Sequence, residues 1–167
     1  MIYLKHQVLI LLFLSLISIQ GYAQSENENS LKVGWSTANI TPDMPVLVAG
    51  QFHARLSDGV MDPVTATILA LESGGGDNAE KTIWISCDLV GISDGMRTTA
   101  NLRDEIRNRV IKAIPAIRPE QIIVNATHTH AAPYVASTAA VEDIYGVSLE
   151  QMADGKPAMS PADYIPF

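Results

Sequence analysis

Few residues here have chemistry to offer, and they are concentrated. The 167-residue chain has four histidines, and two of them, His128 and His130, stand one residue apart in "IIVNATHTHAAP" (122–133). Neutral imidazole is a borderline ligand well suited to zinc, at about 2.0–2.1 Å. A hydrolytic zinc site usually takes three protein ligands and keeps a fourth position for water; the metal lowers that water's pKa towards ~7 and polarises the carbonyl under attack. On an extended segment, His-x-His points both rings to one face. One ring of such a pair can bind metal while the other serves the nucleophile or the developing oxyanion. The plain alternative is two solvated loop residues. A third ligand would be His53, Asp88 or a residue from sequence beyond this chain. His53 also reads as an exposed loop histidine, and Asp88 as a loop-capping carboxylate. Asp62, before Pro63, reads as a turn residue, and Thr127 and Thr129 can hydrogen-bond locally and fix the loop. Cys87 is the single cysteine, so it makes no intramolecular disulfide, and its apolar surroundings read as burial.

The flanking pattern says which elements must carry these groups. "LKVGWSTANIT" (31–41) alternates, with Val33 and Trp35 on one face, and reads as a strand. "PVLVAG" (45–50) is a short apolar stretch stopped by Gly50, and 51–63 reads as loop. "VTATILALE" (64–72) and "KTIWISCDLV" (81–90) are β-branched and apolar, so buried strands, joined by the hairpin-like turn "SGGGDNAE". Leu102, Ile106, Val110 and Ile114 recur every four residues and predict a helix that Pro115 stops. "IIVNATH" then follows as another strand. Strand, helix, strand over 81–128 predicts a parallel pair with a right-handed crossover. Parallel strands end on one side of a sheet, so Asp88 and His128 are expected on the same edge, where open α/β sheets bind ligands. After Pro133 no period is sustained and a long loop is expected. Ser160, Pro161 and Asp163 form a helix-start signature with no helix behind it, which reads as a domain cut short. One helix on several strands also leaves a sheet face poorly covered, although parallel strands are normally buried on both faces; residues 24–167 alone are therefore expected to be aggregation-prone or only partly folded.

Met1–Ala23 carries one lysine, Lys5, before the apolar run "VLILLFLSLISI", and closes on Gly21-Tyr22-Ala23. That is the layout of a secretory signal peptide, and the run is short for a membrane span. Export with cleavage is expected, to the periplasm or the medium, followed by a polar linker (24–31) and one domain (32–167). The net charge of −7 and the lack of a basic patch argue against a nucleic-acid partner.

"VGWSTANITPDMPVLVAG", "GVMDPVTATILALE", "WISCDLVGIS" and "IIVNATHTHAAP" occur in the order and at about the spacing of the N-terminal part of the neutral/alkaline non-lysosomal ceramidase family, which the chain resembles over roughly 32–134. The resemblance implies an α/β fold, here the N-terminal portion of a larger catalytic domain built on a mixed sheet with a βαβ crossover. It implies one zinc ion, with His128 as a ligand and His130 beside the reacting water and substrate. The family's other ligands, a further His, a Glu and a Tyr, come later in its sequence than this chain extends. The implied activity is hydrolysis of the N-acyl amide of ceramide or a related N-acyl lipid to fatty acid and amine, with peripheral contact with membrane lipid. Two positions depart from the pattern. Ala131-Ala132-Pro133 replaces Ser-Gly-Pro, and Met61 stands where His often precedes the Asp-Pro pair. Both suit an amidase acting on something other than ceramide. The competing readings are a non-catalytic exported homologue that binds lipid or glycan, and a complete small hydrolase using His53, His128 and His130.

Overall fold

The computed structural model describes residues 30–75, 79–93, 101–135 and 138–164. The signal-peptide segment and nearly all of the polar linker lie outside these, as do residues 76–78 at the centre of the expected hairpin turn. Among the described residues no helix is long and apolar enough to cross a membrane.

Four strands form one mixed sheet in the order β1 (Leu31–Asn39), β2 (Thr65–Ser73), β3 (Glu80–Cys87), β4 (Ile122–Ala126). The first two pairings are antiparallel and β3–β4 is parallel, with Cys87 opposite Ala126. The predicted mixed α/β architecture is therefore present. The crossover carries α1 (Leu102–Ala113). Its every-fourth-residue stripe brings Leu102 and Ile106 into the core, both 3% exposed, where they join Ile85, Cys87, Ile117 and Ile122. Burying each such aliphatic side chain contributes roughly 1.5–3 kcal/mol. Asn101 caps the helix by accepting from the Asp104 N–H at 3.0 Å, Asp104 and Glu105 sit in the positively polarised first turn, and Pro115 follows the C-cap Ile114.

The stretch 45–50 is not a strand of the sheet. It makes isolated bridges to three other segments, Val46 with Met159, Leu47 with Leu56 and Val48 with Pro133, and Val46–Ala49 are buried. Apolarity here serves a connector threaded between loops. The long loop expected after Pro133 contains two short helices, α2 (Thr138–Tyr145) and α3 (Leu149–Ala153). Eight and five residues are too few to display a 3.6 period. Their capping signals are local: Gly146 at φ 67°, and Ser148 with Gln151 as a reciprocal capping box. The helix-start signature at Ser160 makes a turn, with Ser160 Oγ accepting from Ala162 N. Tyr164 then enters the core and donates its hydroxyl to the Ile40 carbonyl at 2.6 Å.

The face of the sheet opposite α1 is open among the described residues. Trp35, Leu69, Trp84 and Ile123 form one cross-strand row, and the two tryptophans are 69% and 46% exposed.

Candidate functional site

Because β3 and β4 are parallel and in register at Cys87 and Ala126, the segments that leave them run side by side. Thr127 N donates to the Cys87 carbonyl at 2.9 Å, and His128 N to the Leu89 carbonyl at 3.0 Å. The expected edge is thus where the histidines stand. Their local conformation differs from the extended one predicted. The strand stops at Ala126, and His128 has φ 63°, in the left-handed region. For an L-residue this costs roughly 1–2 kcal/mol. Two bonds to the 87–90 segment hold it there: the backbone one to Leu89 and a side-chain one, Nδ1 to the Val90 carbonyl at 2.6 Å. A carbonyl only accepts, so Nδ1 carries the proton and Nε2 presents its lone pair. The rings converge because of this turn and not through strand alternation.

His130 Nε2 lies 3.5 Å from His128 Nε2, with the rings edge-to-face and both residues exposed. Two ligands about 2.0–2.1 Å from a tetrahedral zinc have nitrogens roughly 3.3–3.4 Å apart. The donor set and its spacing therefore fit two corners of such a site. The same distance is also a weak hydrogen bond, His130 Nε2–H to His128 Nε2. Two groups outside the predicted set touch His130. Arg55 donates from Nη2 to its carbonyl at 2.7 Å. Gly50, at φ 86°, lies so close that a Cβ there would overlap the ring, 2.6 Å from Nδ1. The sequence signals for these are faint: a glycine ending an apolar stretch and an arginine in the loop after it.

Asp88 serves the scaffold of this edge. Its carboxylate accepts from Thr65 N at 3.0 Å, Thr65 Oγ1 at 2.7 Å and Thr127 Oγ1 at 3.2 Å. It thereby ties the start of β2 to the ends of β3 and β4. His53 is exposed on its loop. Among the described residues no three His, Cys, Asp or Glu side chains form a group able to hold a metal ion, so neither His53 nor Asp88 completes a set with the pair. Cys87 is fully buried; burial, and then the adjacent Asp88 carboxylate, push its thiol up to about 11, which keeps it protonated and unreactive near neutrality. A groove of about 700 Å³ adjoins the histidine turn, lined by Val46, Arg55, Asp88, Thr129, Ala131 and Ala132 among others. Neither imidazole lines it.

No protein-family model matches the chain, and no curated protein matches it by sequence. Solved structures similar to it include two ceramidases. One is a neutral ceramidase from Pseudomonas aeruginosa, 17% identical with a TM-score of 0.57, over 77% of this chain and 20% of that one. The other is a ceramidase complexed with C2, 17% identical with a TM-score of 0.56, over 76% of this chain and 20% of that one. At this identity the likeness shows the fold: the four-stranded mixed sheet matches part of a ceramidase domain. The chain spans 20% of the length of these structures.

Proposed function

We propose that the chain carries part of the zinc site of an exported amidohydrolase resembling neutral ceramidase, which cleaves the N-acyl amide of ceramide or a related N-acyl lipid to fatty acid and amine. The observation that carries this reading is the strained His128, with Nδ1 committed to Val90 and Nε2 turned toward His130 at 3.5 Å on the ligand-binding edge of the sheet. The ceramidase-like fold supports it. In this reading His128 Nε2 is a metal ligand whose orientation the Val90 carbonyl fixes, as second partners of ligating histidines generally do. Zinc, when bound, supplies Lewis acidity for the amide carbonyl and the attacking water. His130 moves a proton between water and the departing amine as the C–N bond breaks, a transfer that requires a ring within hydrogen-bond reach of the reacting atoms. The further ligands come from outside the described residues, and residues 1–23 direct export.

The test is hydrolysis of a fluorescent N-acyl sphingoid amide by the natural protein, with and without a chelator. Chelator-sensitive release of fatty acid, abolished in His128→Ala, is expected. Binding of the lipid without cleavage would instead support a non-catalytic homologue.

A further inference from the structure

We propose that Gly50 and Arg55 are positioning residues for His130, and that the loop 45–57 is the template against which the histidine pair is set. This rests on the reading of His128 and His130 as a functional pair. The base of the loop is rigid, since Leu47 and Ala49 are 1% and 0% exposed. Two backbone bonds fasten it to the segment after the histidines, Ala49 N to the Ala132 carbonyl at 3.0 Å and Tyr134 N to the Leu47 carbonyl at 2.8 Å. Val48 N bonds the Arg55 carbonyl at 3.0 Å, which folds the loop back and delivers Arg55 to the same place. From there its guanidinium takes the His130 carbonyl at 2.7 Å. Gly50 supplies the other half of the grip. Its left-handed φ of 86° and missing side chain let the imidazole lie directly on the backbone, where a Cβ would collide with the ring. His130 is thus fixed at its carbonyl by one residue and at its ring by the other, while His128 is fixed independently by the 87–90 segment. The 3.5 Å separation is set by two elements far apart in sequence, and a residue that only filled space would not need to meet His130 on both sides.

The experiment uses the full chain with ¹³C-labelled histidine. It reads the cross-peak between the His128 and His130 ring protons, and titrates Zn²⁺ alone by calorimetry. Gly50→Ala is expected to abolish the cross-peak and to leave Zn²⁺ affinity unchanged, because the ligand His128 is held independently by the 87–90 segment. Arg55→Ala, at an exposed position where folding is not at stake, should weaken the cross-peak, and Arg55→Lys, which keeps a cationic donor, should restore it. A wild-type cross-peak in both Gly50→Ala and Arg55→Ala would overturn the proposal. The cross-peak alone decides whether these residues position His130, and the metal reading fails separately if the natural protein, which supplies the further ligands, binds no Zn²⁺.

Discussion

At the scale of single residues, the site depends on side chains whose roles lie in what they accept and donate. Asp88 takes three bonds from two threonines at the junction of β2, β3 and β4. Asp88→Ala would strand those donors, at a cost of about 2–3 kcal/mol, read from the shift in a urea midpoint. Cys87 gives a pH prediction. Its folded-state thiol lies at about 11, raised from an ordinary 9.0. The folded state therefore holds its proton over a range in which the unfolded state loses it. That contribution is complete below pH 9 and is lost as pH rises towards about 11, by roughly 2–3 kcal/mol. Denaturation curves at pH 8.5 and 11 for the chain and for Cys87→Ala separate this from other alkaline effects, because the variant lacks the decline. His128 and His130 stood out in the sequence by rarity and spacing. The left-handed turn that joins them did not, because it is imposed by the Leu89 and Val90 carbonyls, about forty positions earlier.

At the scale of elements, the βαβ unit aligns Asp88 with Thr127, and its helix is what closes the core beneath them. Ile106→Ala should cost about 2–5 kcal/mol through the cavity it leaves between α1 and the sheet. Asn101→Ala, which removes the cap without touching the core, should cost about 1 kcal/mol. Both are measured by chemical denaturation, and their ratio tests whether packing dominates the helix. The strands and α1 were legible because β-branched runs and an every-fourth-residue stripe are intrinsic to the sequence. The helices after Pro133 were not, being too short for a period and marked only by caps. The connector 45–50 was legible as apolar but not in its role, since its bridges go to Leu56, Pro133 and Met159, partners that no local pattern reveals.

At the scale of the molecule, one face of the sheet holds the core and the other holds Trp35, Trp84 and Ile123 in the open. The sequence predicted a poorly covered face. It could not say which one, because Val33 and Trp35 alternate as a core-facing pair would. Exposed contiguous apolar surface of this kind drives association. The chain from residue 24 to 167 is expected to bind a hydrophobic dye and to self-associate in sedimentation velocity as concentration rises. Trp35→Lys with Trp84→Thr should reduce both while leaving the circular dichroism unchanged. Unaltered self-association in that double variant would locate the sticky surface elsewhere.

Whether His128 is a metal ligand is read from the zinc content of the purified natural protein. One zinc per molecule is expected, absent from a His128→Ala variant that remains folded and retained in Asp88→Asn. Stoichiometric zinc in His128→Ala would contradict it.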